Sequence, residues 1–169
     1  MKHWITSDQH WGHENIIRLG ERPFSSLDEM NEALLSNWNE VVQPEDIVYH
    51  LGDIFWNRYM AKKYMPLLNG KIILLPGNHD KRWVRYYREM LDGIRTSILL
   101  APLILTIDAP IHATFCHYPM VDWEGKFRDA WHFHGHVHQN IKSEGKRINV
   151  CVEETGYTPI LLEEFVDRT

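Results

Sequence analysis

Apolar side chains recur at different periods along the chain, and each change of period marks an element. Lys2 to Thr6 reads as a short strand that turns polar at Ser7-Asp8. Ser26-Leu27-Asp28-Glu29 has the form of a capping box, in which serine and glutamate each satisfy an orphan backbone donor at a helix start. Leu27, Met30, Leu34, Trp38 and Val41 then recur at helical spacing, which predicts an amphipathic helix over 27–42. After Pro44 and Glu45, Asp46 to His50 reads as a buried strand ending at Leu51-Gly52-Asp53. The alternation repeats with a helix over Arg58 to Leu68, stopped by Asn69-Gly70 as a left-handed cap. A strand over 71–75 runs into Pro76-Gly77-Asn78-His79-Asp80, and a further helix is predicted over 81–91. From Ile98 onward the texture changes to short β-rich runs at 103–107, 111–116, 131–134 and 147–152, with Asp108-Ala109-Pro110 as a turn. A βαβαβα first half suggests a parallel sheet, and the later strands are expected to form a second sheet packed on it. The fold class is therefore α/β, a two-sheet β-sandwich flanked by helices.

Composition narrows the setting. At 169 residues the chain is read as one domain over 1–169, large enough to fold without disulfides or a structural metal. The longest mainly apolar run, Ile98 to Ile107, contains Pro102 and is half the ~20 residues that span a bilayer. Met1 to Ile5 passes at once into Thr6-Ser7-Asp8, which leaves no room for the apolar core of a signal peptide. Membrane and secreted destinations are thus not expected. Cys116 and Cys151 make no disulfide framework; both are read as small buried side chains in a reducing cytoplasm. A net charge of −5 argues against a protein that coats duplex DNA.

Histidine is the abnormal entry in the composition. Eleven are present, where roughly four would be usual for this length. Many stand where strands should end: Asp8-Gln9-His10, Gly52-Asp53, Gly77-Asn78-His79-Asp80, His117 and Gly135-His136-Val137-His138. Ligands gather at such strand ends in parallel sheets. Oxygen and imidazole donors on separate loops of one sheet edge suit a cluster of divalent ions, with no thiolate needed. Residues i and i+2 of an extended segment point the same way, so Asp8 with His10, and His136 with His138, would each face one pocket. The preceding glycines permit sharp turns or close backbone approach beside the ions. A lone aspartate between two nitrogen-rich groups suits a carboxylate that offers one oxygen to each of two ions.

The motifs D-x-H, G-D, G-N-H-D, a lone H and G-H-x-H stand in this order over residues 8 to 138. In this the chain resembles the calcineurin-like metallophosphoesterase superfamily, and specifically a small, uncapped bacterial or phage-type member. The resemblance implies the α/β/β/α metallo-dependent phosphatase fold. It implies that Asp8, His10 and His138 hold one divalent ion together with a bridging Asp53. Asn78, His117 and His136 hold the other, again with Asp53. Manganese leads among the ions implied, with iron, zinc, nickel or cobalt as alternatives. His79 corresponds to the family histidine that contacts the phosphate and assists the leaving group, and Asp80 to the acid that holds this histidine in orientation. Only 36 residues separate Asp80 from His117, so no cap domain is expected.

The chemistry follows from general principles as well. Two divalent ions about 3.5–4 Å apart acidify a shared water and polarise a phosphoryl oxygen. The bridging hydroxide attacks phosphorus in line while a protonated His79 serves the leaving oxygen. Two ions and one hydroxide would bring the chain near −2, so its acidic balance does not exclude an anionic substrate.

Weaker signals surround the motifs. His13 either touches the substrate phosphate or a metal ligand, or caps the short helix that follows. Arg58 and Arg82 each follow a metal motif and could reach phosphate oxygens, against the plainer reading of solvated helix arginines. Trp11, Trp56, Trp83 and Trp131 either form an aromatic rim for a base or aryl leaving group, or pack the loop bases, which is the simpler reading. His3, His50, His112, His132 and His134 are read as core histidines or as supports of the ligands.

The expected function is that of a dinuclear metal-dependent phosphoesterase acting on a phosphodiester or phosphomonoester. A small nucleotide-like or cyclic phosphate is the expected substrate, with no membrane partner and no stable duplex DNA binding. The alternatives are a nuclease on single-stranded nucleic acid and a non-catalytic interaction scaffold of the same fold. A structural zinc protein fits poorly, because such sites favour four closed, cysteine-rich ligands.

Overall fold

The computed structural model describes residues 1–80 and 98–168. The helix expected over 81–91, with Arg82 and Trp83, lies outside them. The described chain runs β1 (His3–Thr6), α1 (Glu14–Leu19), α2 (Leu27–Val41), β2 (Ile47–His50), α3 (Arg58–Tyr64), β3 (Lys71–Leu74) and β4 (Ile98–Leu100). It continues as β5 (Ile104–Ile107), β6 (Ala113–Cys116), β7 (Trp131–His134), β8 (Arg147–Asn149), β9 (Ile160–Leu161) and a 3-10 segment, Leu162–Arg168. One sheet has the order β4-β3-β2-β1-β9 and the other β5-β6-β7-β8. In the first, β1 to β4 are parallel and β9 is antiparallel. In the second, β6, β7 and β8 are parallel and β5 is antiparallel.

Alternation along the parallel strands decides which layer each residue enters. Trp4, Val48, Ile72 and Leu74 join the helix side, with Met30, Leu34 and Trp38 of α2 and Ala61 and Tyr64 of α3. Ile5, Tyr49, Leu51 and Leu75 turn to the other face and meet Ala113, Phe115, Trp131 and Phe133 of the second sheet. Phe165 closes this layer, its ring edge-on to Trp131 at 5.2 Å and to Phe133 at 5.1 Å. On the polar face of the second sheet, Trp123 stacks on His132 at 5.3 Å. Cys116 and Cys151 are free and buried. No helix among the described residues is long and apolar enough to cross a membrane.

Strand ends are aligned in both sheets. Thr6, His50 and Leu74 stand in register, as do Cys116, His134 and Asn149. A parallel bridge between Ser7 and Cys151 ties the two sheets together at this edge. All the candidate ligands therefore leave on loops from one end of the sandwich.

Local details depart from expectation for identifiable reasons. Ser26 caps α2 by accepting the Glu29 N–H at 3.2 Å, but Glu29 reaches back to the Ser25 N–H, one residue before the expected capping-box partner. The expected helix over 58–68 ends as α-helix at Tyr64 and tightens into a 3-10 turn, Met65–Leu67. Pro66 has no N–H to continue the α-helical ladder. Gly70 is left-handed, at φ +86°, but it is not the cap of α3. A side chain there would press on Val42 as the chain enters β3. Two strands were not anticipated, β4 and β9. β4 lies in an apolar run whose length and period do not separate strand from loop, and β9 has only two residues.

Candidate metal centre

The ligand loops are not extended. Asp8, His10, Asp53, His136 and His138 have φ of +64°, +53°, +55°, +70° and +47°. They are five of the eight non-glycine residues in that region among the described residues. Left-handed backbone is uncommon for residues with a Cβ and costs free energy, so its concentration here marks a functional site. The expectation that Asp8 and His10 share a pocket through i, i+2 alternation reaches the right pairing by the wrong geometry. Sharp turns aim the side chains, and Asp8 Oδ1 lies 3.7 Å from His10 Nε2. Glycine is required where loops touch. A Cβ on Gly135 would overlap Ser7 Oγ and Asp8 Oδ2, and one on Gly77 would overlap Asp53 Oδ1.

Asp53 is where the loops converge. Its Oδ2 lies 3.6 Å from His10 Nε2, 3.7 Å from His117 Nε2 and 3.9 Å from His79 Nε2. Its Oδ1 accepts the His79 backbone N–H at 2.9 Å. Asp8, His10 and His138 present donor atoms all within 4.8 Å of one another, and so do Asp8, Asp53 and His117. Asn78 Oδ1 stands 2.9 Å from both His117 Nε2 and His136 Nδ1.

Two of these residues carry atoms that lack hydrogen-bond partners in a way that a cation would repair. Asp8 Oδ1 and both ring nitrogens of His10 are buried without a partner. His117 Nδ1–H donates to the Leu51 carbonyl at 2.7 Å. Its Nε2 lies 2.9 Å from Asn78 Oδ1 and 3.7 Å from Asp53 Oδ2. A buried carboxylate oxygen and ring nitrogens left without partners, as at Asp8 and His10, are costly unless a ligand such as a cation satisfies them. Nitrogen and oxygen donors with no thiolate suit divalent ions such as manganese, iron or zinc. The buried Asp and His clusters could therefore hold divalent metal.

Arg22 and Glu153 are the members of the site that the sequence did not disclose. The buried Arg22 donates from Nη1 to the Gln9 carbonyl and from Nη2 to the Asp8 carbonyl, each at 2.7 Å. Its Nε and Nη2 also donate to Glu153 Oε1, at 2.9 and 2.7 Å. The same Oε1 accepts His138 Nδ1–H at 2.9 Å, leaving Nε2 of His138 for a metal. One ion pair thus holds the loop of Asp8 and His10 and the loop of His138 together. Arg22 sits in an aperiodic loop and Glu153 in a Glu-Glu pair that reads as solvent-facing, so neither carried a signal. We expect Glu153→Gln to weaken one ion roughly 10–100-fold, at the Asp8, His10 and His138 end, and to spare the other. Calorimetric titration with Mn²⁺ checks this, and an equal loss at both sites would contradict it.

Other supports are visible. His50 Nδ1 accepts the Gly52 N–H at 3.1 Å while its Nε2–H donates to Gln9 Oε1, so this histidine braces two ligand loops. Asp80 was expected to orient His79. Its Oδ2 instead accepts the backbone N–H groups of Asp53 and Gly77, both at 2.7 Å. The reason is depth: Asp80 is fully buried under the loops, whereas the His79 side chain is 42% exposed.

Burial sets the protonation of the site. It pushes the Asp53 carboxyl up to about 7, with Asp8 and Asp80 adding to the rise against the opposing pull of His117. Burial likewise raises Asp80 to about 6. For Asp8, burial is outweighed by His10 and His117, which hold its carboxyl below the usual range. Burial lowers His10 and His136, which keeps both rings neutral and able to ligate. His138 moves up, because Glu153 outweighs burial. An ion binding Asp53 below pH 7 must therefore displace a proton. Affinity should rise with pH, by up to about tenfold per unit per proton displaced, and this contribution should flatten above pH 7. Titrations in buffers of different ionisation enthalpy would count the protons. Equal affinity at pH 5.5 and 7 would contradict the assignment.

The weaker signals separate. His13 occupies the N-cap position of α1 but makes no side-chain capping bond, which overturns the capping alternative. Its ring stacks on Trp56, at 3.7 Å and 3°, and lies 5.6 Å from His10. Trp11 and Trp131 are buried and pack the interior, whereas Trp56 is 41% exposed. Arg58 is exposed at the start of α3. His3 pairs with Glu163 at 3.0 Å, His112 lies 3.8 Å from Asp108, and His132 and His134 are buried in β7.

The sequence profile of the calcineurin-like phosphoesterases matches residues 1–103. The uncharacterised protein MJ1445 of Methanocaldococcus jannaschii is 36% identical over 98% of this chain and 89% of that protein. The gene 66 protein of Mycobacterium phage D29 is 30% identical over 82% of this chain and 79% of its own length. Among solved structures, the protein of unknown function AQ665 from Aquifex aeolicus superposes with a TM-score of 0.74 at 28% identity, covering 99% of both chains. An archaeal phosphodiesterase shares the fold at a TM-score of 0.53 and 19% identity, over 88% of this chain and 82% of that one.

Proposed function

Because this chain belongs to the calcineurin-like phosphoesterase family, we propose that it hydrolyses phosphate esters with the help of two divalent ions. The observation that carries this reading is the position of Asp53 Oδ2, within 3.7 Å of imidazole nitrogens from two separate ligand loops. Asp8, His10 and His138 would hold one ion, and Asn78, His117 and His136 the other, with Asp53 shared. When bound, such a pair supplies positive charge for the phosphoryl oxygens and acidifies a coordinated water.

The chain's own groups do the rest. His79, half exposed beside Asp53, would contact the phosphate and pass a proton to the departing oxygen. Its backbone N–H fixes Asp53, and Asp80 locks the Asp53 and Gly77 backbones beneath it. His13, adjacent to His10, would reach a phosphate oxygen. Arg58 and Arg82 are proposed as further phosphate contacts. The substrate we propose is a small nucleotide-like or cyclic phosphate rather than a duplex, and manganese is the ion we would load first. The unpartnered acceptors favour this over a non-catalytic scaffold, which would have no need of them.

Chelator-stripped protein reloaded with Mn²⁺ should hydrolyse bis-p-nitrophenyl phosphate or p-nitrophenyl phosphate, and lose that activity on stripping again. The ratio of the two rates separates diesterase from monoesterase. No turnover of either ester with two ions bound would overturn the reading.

A further inference from the structure

We infer that the centre lies between two aromatic walls and takes a diester bearing a planar group on each side of phosphorus, as two linked nucleosides do; this rests on the phosphoesterase reading above. The walls are Trp56 and Tyr118, each 41% exposed although each adjoins rings of the site. Trp56 stands on the side of His10, because its ring neighbours His13 and His79 lie 5.6 and 5.3 Å from the His10 ring. Its backbone N–H donates to the Trp11 carbonyl at 2.9 Å, and His13 lies flat against one face of its indole at 3.7 Å. The ring is thus oriented before any ligand arrives. It lies 5.3 Å from the His79 ring, the group assigned to the leaving oxygen, so a planar leaving group would meet it.

Tyr118 borders the other set. It follows His117 directly, and its ring stands edge-on at 4.6 Å from His136 and 5.0 Å from His117. His10 and His117 approach the same Asp53 oxygen, at 3.6 and 3.7 Å, and each wall adjoins the surroundings of a different one of these two rings. Large rings left half exposed beside a polar centre contribute less to the core than buried ones do, whereas a fixed ring is ready to stack on a base. Such stacking accepts any base, because every base has a π face. The expected ligand is therefore a dinucleoside phosphodiester with little base preference.

The test compares a dinucleoside monophosphate with methyl p-nitrophenyl phosphate, which carries one planar group, using Mn²⁺-loaded protein. Trp56→Ala should lower kcat/KM for both esters, roughly 5–100-fold and mainly through KM. The loss in Tyr118→Ala should fall mainly on the dinucleoside ester. Trp56→Phe and Tyr118→Phe should recover most of each loss, because stacking needs a ring and no polar group. Alanine variants that leave the dinucleoside ester untouched, or that lower both esters equally at Tyr118, would overturn the inference. So would wild-type protein that cleaves the nitrophenyl ester but not the dinucleoside, although the phosphoesterase reading would then stand. Failure of both esters with two ions bound would instead remove that reading, and this inference with it.

Discussion

Asp53→Asn should abolish phosphoester hydrolysis and weaken both ions together. Asparagine keeps the size of the side chain and can still accept the His79 N–H, so the loops should hold. What disappears is the anion that two ligand loops share, 3.6 Å from His10 and 3.7 Å from His117. The loss in turnover should at least match removal of one transition-state donor, about 10²–10³-fold. Stability should move the other way. Burial holds the folded Asp53 carboxyl near pH 7, above its unfolded value, so the metal-free fold loses stability as pH rises through that range. A neutral asparagine removes that loss, and the metal-free variant should melt higher than wild type at pH 8. Retained activity with two bound ions would refute the shared-ligand assignment.

His79→Ala should give the complementary result, full metal content with slow turnover. The backbone N–H that holds Asp53 survives in this variant, and the imidazole is the most exposed of the rings around Asp53. Loss of a positioned general acid costs about 10²–10⁴-fold, and most where the leaving group is basic. An alkyl ester should therefore suffer far more than a p-nitrophenyl ester. If metal content collapsed instead, His79 would be a ligand and the proton-transfer role would fall.

The two predictions concern residues that were legible in the sequence, and the reason is physical. Parallel strands place their C-terminal loops at one edge, so short polar motifs at strand ends can be gathered before any coordinates exist. Asp8, Asp53, Asn78, His117 and His136 are candidates that such motifs single out. The helix over 27–42 was equally plain, because Leu34 and Trp38 recur at its buried face. What stayed hidden depends on backbone shape or on contacts distant in sequence. The left-handed turns at Asp8 and His136 replace the extended geometry that alternation suggested. Arg22 and Glu153 are 131 positions apart and meet only in the fold. Asp80 looked like a partner for its neighbour His79, but its depth turns it towards backbone amides. Pairing across β1 and β9 rests on two residues of β9 that no periodicity could reveal.

The central claim is that two ions act together through Asp53. It is tested most directly by titrating Mn²⁺ into stripped protein while following hydrolysis and the electron paramagnetic resonance spectrum together. The account predicts that activity appears with the second bound equivalent and tracks the spectrum of a spin-coupled pair. Full activity at one equivalent, with only the signal of isolated Mn²⁺, would contradict it.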